Sequence, residues 1–282
     1  MIFSKESVRS TFSNSAYSYN EAAVLQKEVL SRLINKLKVL QPEAIESLLD
    51  VGSGTGLACE KLAAVYGDES YYAYDFALPM LKSAEKQNSQ INQHAVCGDV
   101  VSLPYMNSTF DVVFSASTYQ WCNDLGRAFS DSYKTLKEGG LFIFSSFGPD
   151  TLKELRQCFA KVDNEPHVSP FIDMQELGDG LLSTGFYAPV IESEIITVEY
   201  SSPLQLLKDL QATGATNHME QRSRGLMGKD RLKKMLAEYE KLALENGKYP
   251  ASYEVIYAHG WKKSVKESGQ IGAQEWQKIE FK

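Results

Sequence analysis

Nine residues, Leu48-Leu49-Asp50-Val51-Gly52-Ser53-Gly54-Thr55-Gly56, constrain the fold of this chain more than any other stretch. The apolar run Leu48–Val51 reads as a short buried strand. It feeds a loop with glycine at every second position, and a helical pattern follows from Leu57. In doubly wound α/β proteins a strand-to-helix turn of this kind brings backbone against a ligand. A residue without a Cβ turns tightly and leaves room for a ribose or an amino-acid moiety. The spacing, Asp-x-Gly-x-Gly-x-Gly, is neither the phosphate cradle Gly-x-x-x-x-Gly-Lys-Ser/Thr nor the dinucleotide pattern Gly-x-Gly-x-x-Gly. No lysine follows the glycines to hold a triphosphate. Taken alone, the loop is also consistent with a plain turn.

Two later acids sharpen the reading. Tyr71-Tyr72-Ala73-Tyr74-Asp75 is a second strand that ends in a carboxylate 25 residues after Asp50. An acid at that position accepts hydrogen bonds from ribose hydroxyls in doubly wound nucleotide sites. Cys97-Gly98-Asp99-Val100 follows a third strand over 94–97. A buried, unpartnered acid is costly, so acids repeated at strand ends suggest a shared ligand. The alternative is that Asp75 and Asp99 only cap helices or turns. The glycine loop resembles motif I of the seven-strand S-adenosylmethionine (SAM) methyltransferases. That resemblance implies SAM as cofactor, with Asp50, Gly52, Gly54, Gly56, Asp75, Phe76, Met80, Asp99, Val100, Ser115 and Trp121 around it. It places Asp99 against the adenine amino group.

Strands and helices alternate through the middle of the chain. Further strands are expected at 110–114, 141–145, 190–200 and 253–258, with helices at 57–66, 77–86 and 125–136. This alternation implies α/β architecture, a doubly wound, mostly parallel seven-stranded sheet with helices on both faces. Residues 4–40 read as a helical arm that Pro42 ends. A helix beginning at Asp150 carries Thr151 and Glu154 at capping-box spacing. Helical stretches over 203–212 and 229–244 fall between the last two strands and suggest an inserted lid. The expected organisation is an arm over 1–41, a Rossmann-like core over 42–202, a lid over 203–246, and a final strand and tail over 247–282.

Composition narrows the function. The chain is 43% hydrophobic and 23% charged, ordinary for a globular protein. Its net charge of −7 argues against general nucleic-acid binding. The four cysteines show no paired spacing, which argues against a zinc site or a disulfide framework. No apolar run approaches the ~20 residues of a membrane span. The first residues carry no hydrophobic signal core, so a cytoplasmic location with no membrane contact is expected.

The segment Phe114 to Trp121 leaves the fourth strand where ligands bind in open α/β sheets. Gln120 and Trp121 would face the reacting centre there; the alternatives are a surface glutamine and a core tryptophan. Outside the core, further stretches resemble the malonyl-acyl-carrier-protein O-methyltransferases of biotin synthesis. They are Phe12-Ser13-Asn14-Ser15-Ala16-Tyr17-Ser18-Tyr19, Phe147-Gly148-Pro149-Asp150-Thr151-Leu152, His167-Val168-Ser169-Pro170-Phe171-Ile172-Asp173-Met174, Asp209 to Asn217, and Tyr253 to Trp261. The resemblance implies methyl transfer from SAM to the free carboxylate of malonyl-acyl carrier protein, with S-adenosylhomocysteine as product. A carboxylate is already ionised near neutral pH and needs no general base. The site's task is therefore alignment and exclusion of water. Donors for the carboxylate are sought in Tyr19, Gln120, Asn217, Arg222 and Arg224, with Tyr19 and Gln120 nearest the chemistry. The basic stretch that includes Arg222, Arg224 and Lys229 suits an acidic carrier protein, or is a solvated helix face. Two rivals remain: a methyltransferase of the same fold acting on another small acid or on carbon, and a methyltransferase-fold assembly factor that binds a protein.

Overall fold

Alternation within each strand decides which helices cover which face of the sheet. In a computed structural model, residues 3–264 are described except 41, 43–44, 68–70, 164, 216 and 220–227. The strands are β1 (Leu48–Val51), β2 (Tyr71–Asp75), β3 (His94–Cys97), β4 (Phe110–Ala116), β5 (Leu136–Phe147), β6 (Tyr187–Tyr200) and β7 (Tyr249–Trp261). They form one sheet in the order β3-β2-β1-β4-β5-β7-β6. The first five strands run parallel, and β7 is antiparallel to both β5 and β6. Strand order reverses between β1 and β4, which opens the ligand crevice beyond their carboxyl ends.

The helices are α1 (Lys5–Ser15), α2 (Tyr19–Ala22), α3 (Val24–Leu40), α4 (Cys59–Tyr66), α5 (Leu78–Gln87), α6 (Leu125–Thr135), α7 (Lys153–Ala160), α8 (Met174–Thr184), α9 (Pro203–Ala212) and α10 (Lys229–Glu240). On one face, Leu48, Tyr71, Val112, Phe114, Leu141 and Ile143 pack with Leu33 and Leu37 of α3, Leu62 of α4 and Leu155 of α7. On the other, Leu49, Val51, Tyr74, Val113, Phe142 and Phe144 pack with Phe129 of α6 and Leu177 and Leu181 of α8. Successive side chains of a strand point to opposite faces, so β1 gives Leu48 to one face and Leu49 and Val51 to the other, and all four of its residues are buried.

Several boundaries differ from the sequence-based expectation. The arm is three helices, because the chain turns after Ser15 and again at Ala23. The expected capping box at Thr151 and Glu154 does not form. The helix starts after Leu152, which is left-handed at φ 56°. Neighbouring β7 captures both polar side chains: the Thr151 hydroxyl donates to Glu254 O at 3.2 Å, and the Glu154 carboxylate accepts from Ser252 N at 3.0 Å. β5 begins at Leu136 rather than after Gly139-Gly140. A register shift between Phe110 and Val112 absorbs the glycines as a bulge. β7 exceeds its apolar core because the antiparallel ladder with β6 continues through polar pairs such as Thr197 with Ser252. α9 and α10 interrupt the chain between these paired strands, as expected. No described helix is long and apolar enough to cross a membrane.

Leu33 is fully buried between α3 and the sheet. Leu33→Ala removes that contact and leaves a cavity, so urea denaturation should show a loss of ~2–5 kcal/mol.

Candidate active site

The glycine loop is shaped by what surrounds it. Gly52 N and Ser53 N donate to Tyr74 O at 2.7 and 3.1 Å, which ties the loop to β2. Gly52 has φ 74°, and a Cβ there would lie 1.9 Å from Thr118 Oγ1. Gly54 has φ 55°, yet a Cβ would meet nothing nearer than Gly52 O at 4.0 Å, because this residue faces open space. Gly56 instead packs against α5, where a Cβ would come within 2.9 Å of Ala84 Cβ.

Asp75 holds this arrangement together. Its carboxylate accepts from Gly54 N at 3.0 Å and from Ala77 N at 2.8 Å, at the entry to α5. Burial pushes its pKa up to about 6, with the two backbone donors opposing. Asp50 is also buried, but it accepts from the Tyr71 hydroxyl beneath the loop. Burial raises Asp50 to about 7; the Tyr71 hydrogen bond opposes this and the charge of Asp75 adds to it. Asp99 is partly exposed and forms an ion pair with Lys5 of α1 at 2.6 Å. Beside it, Gly98 is closely covered by Tyr74, whose hydroxyl donates to Asp99 O at 3.0 Å.

The cleft beyond these strand ends contains about 830 Å³ of space, its open mouth included. Gly52, Gly54 and Asp75 form the floor; Phe76, Met80, Asp99 and Val100 form one side; Ser117, Thr118 and Trp121 form the other. The arm supplies the roof through Lys5, Val8, Phe12 and Tyr19. Phe12 and Tyr19 pack with Ala16, Ala77 and Met80, which seats α1 on α5. Burial, then the charge of Asp75, raise the Tyr19 pKa far above its ordinary value, so the phenol keeps its proton. Trp121 is boxed edge-on by Phe3, Phe12, Phe171 and His218, with ring centroids 5.4–6.5 Å away.

Other expected site residues lie behind this surface. Gly56 packs on α5, and Asp50 turns inward to Tyr71. Ser115 Oγ donates to Val51 O at 2.8 Å inside the sheet. Gln120 is buried and donates to Ser117 O at 2.6 Å, while its Oε1 has no partner among the described residues. The Asn217 amide spans Pro166 O and Met219 N, and so ties loops together away from the cleft lining. Lys229 starts α10 on the exposed surface. Arg222 and Arg224 lie outside the described residues.

Four participants carry no signal in the sequence pattern. Lys5 and Val8 carry no motif, and only the docking of the arm brings them to the cleft. Ser117 is left-handed at φ 56°, held by Ser145 O and Oγ and by Gln120. His218 is buried; it contacts Ser7 Oγ at 3.0 Å and Gly214 O at 2.9 Å, and Ser4 N donates to its carbonyl. It thereby joins the arm to the segment after α9.

Sheet order, glycine loop and acid-tipped β2 together define the fold of the class I SAM-dependent methyltransferases. A methyltransferase-domain family matches residues 49–144. The YcgJ protein of Bacillus subtilis superposes with a TM-score of 0.60 at 15% identity, over 82% of this chain and 98% of that one. Phosphoethanolamine N-methyltransferase 2 of Haemonchus contortus, solved with SAM, gives 0.53 at 16% identity, over 83% of this chain and 53% of that one. Sequence goes further. The malonyl-acyl-carrier-protein O-methyltransferase of Gallionella capsiferriformans is 41% identical over 93% of this chain and 92% of its own length. That of Nitrosospira multiformis is 41% identical over 94% and 91%. The chain belongs to the malonyl-acyl-carrier-protein O-methyltransferase family, and is thus a methyltransferase.

The raised pKa of Asp50 has a signed consequence for stability. Between the unfolded carboxylate range, near about 4, and the folded value of about 7, the folded chain holds a proton that the unfolded chain has released. That contribution is complete below the unfolded value and is lost as pH rises toward the folded one. Asp50→Asn keeps an acceptor for Tyr71 and removes the titration. Its melting temperature relative to the parent should therefore climb from pH 4 to pH 7 and then level off, as scanning calorimetry would record.

Proposed function

We propose that this protein transfers a methyl group from SAM to the free carboxylate of a malonyl thioester on acyl carrier protein, leaving S-adenosylhomocysteine. The supporting observation is the reach of the kinship. Identity of 41% covers 93% of the chain, well beyond the cofactor core at residues 49–144 and into the acceptor-side elements.

The residues of the cleft fit the cofactor. Gly54 leaves the space that a bound molecule requires, and Asp75 reaches that space as a buried acceptor for ribose hydroxyls. Asp99 has a carboxylate at the mouth for the adenine amino group, shared with Lys5. Phe76, Met80 and Val100 supply apolar walls, and Trp121 closes the reacting end. SAM supplies a methyl group already activated by the positive charge on its sulfur.

The rest of the task falls to positioning. The malonyl carboxylate is ionised near neutral pH, so no base is needed. Tyr19, which stays protonated, is a hydrogen-bond donor to that carboxylate and excludes water with its ring. Gln120 acts from behind the wall: its amide fixes the strained Ser117. Asn217 orders the loop beside His218 rather than touching the acceptor. We assign the inserted helices 203–246 as the acceptor-side lid. α10 exposes Lys229, Arg231, Lys233 and Lys234 in an acidic chain, a basic face suited to an acidic carrier.

Labelled SAM incubated with malonyl-carrier protein, acetyl-carrier protein and free malonate should give a labelled methyl ester on the first alone. SAM binding without transfer to any of them would favour an assembly factor. Transfer to free malonate alone would favour a small-acid enzyme. In the same assay Tyr19→Phe should lower turnover about 10- to 100-fold through lost orientation, with SAM affinity and melting temperature little changed. Normal turnover would make Tyr19 a packing residue.

A further inference from the structure

A second cavity adjoins the cofactor cleft, and Trp121 lines both. It contains about 1040 Å³ of space, mouth included. Its walls come from the start of α3, the carboxyl end of β5, β6, β7 and α9. Leu25, Phe147, Val198, Leu210 and Tyr253 make most of it apolar.

The polar groups in it are selective. Among its described lining residues there is no lysine, arginine or histidine, and the charged ones are Glu199 and Asp209. Glu199 faces Asn246 at 3.0 Å and Lys248 at 3.4 Å; Asp209 accepts from Gln205 Nε2 at 2.7 Å. The Gln26 side-chain amide makes no hydrogen bond among the described residues, so its donor and its acceptor are both available. Such a lining would repel a phosphate or a free carboxylate. It suits a long neutral chain that carries amides and hydroxyls along an aliphatic backbone.

Resting on the methyl-transfer reading, we propose that this cavity holds the pantetheine arm of the carrier-bound substrate, with the malonyl end passing Trp121 into the cofactor cleft. The cation-free lining separates the two ends of the substrate: the neutral arm stays in this cavity, and the carboxylate goes forward to Tyr19. α9, which forms one wall, packs against α10, whose lysines are exposed. The proposed carrier-docking helix thus adjoins the proposed arm site.

Ala22 and Val24 line the cavity and Val24 is exposed, so larger side chains fit there without disturbing the core. Ala22→Trp and, as a second variant, Val24→Trp should raise KM for malonyl-carrier protein about ten-fold or more by a steric clash with the arm. Turnover of malonyl ethyl thioester, which has no arm, should fall less than about three-fold, and SAM affinity should hold. Equal losses on both substrates, or no loss on the carrier substrate in either variant, would overturn the cavity assignment alone. Failure of the parent protein to methylate any malonyl thioester would overturn the methyl-transfer reading and the cavity assignment with it.

Discussion

One buried carboxylate organises the site. Asp75 ends β2 with its side chain turned back, accepting from Gly54 N in the glycine loop and from Ala77 N at the entry to α5. It thus sets the position of two elements that come from different parts of the chain. It also bears on the arm, because its charge helps to keep the Tyr19 phenol protonated. Burial of this group works against its ionisation, as its raised pKa shows. Such a cost persists where the buried group has a ligand to serve.

Around that group the enzyme reads as a cleft closed by parts foreign to the sheet. The sheet supplies the floor through strand ends β1, β2 and β4. The roof is α1, seated on α5 by Ala16, Ala77 and Met80 and pinned at its start by Lys5 on Asp99. Phe3 is strapped to Asn123 by two hydrogen bonds of 2.8 and 2.9 Å and bridges to Met219. The arm and the segment after α9 therefore meet over Trp121, with His218 between them. A methyl group bound for a carboxylate would travel in a space walled by aromatic rings, from which water is displaced.

Much of this was legible in the chain. The apolar run into alternating glycines located β1 and the loop, because a Cβ is excluded at Gly52 by Thr118 and Gly54 must stay open. Acids at the ends of β2 and β3 marked the crevice. The alternation of strands and helices gave the doubly wound class, since period and length suffice for that. What was not legible came from long-range contacts. The spacing of Thr151 and Glu154 fits a capping box, but β7 competes for both side chains. Asp50 sits in the motif, yet Tyr71 turns its carboxylate inward. Nothing local distinguishes Lys5 or His218, whose roles arise only when the arm meets the insertion. Ser117 has an ordinary sequence and an uncommon backbone angle, which the sequence pattern does not reveal.

In the proposed site, Asp75 both shapes the glycine loop and receives the cofactor. Isothermal titration of SAM into Asp75→Ala tests it most directly. The variant should stay folded and bind SAM about 1–3 kcal/mol more weakly, with a smaller loss for Asp75→Asn, which keeps an acceptor. Parent-like affinity in both folded variants would contradict it and reduce Asp75 to a cap for α5.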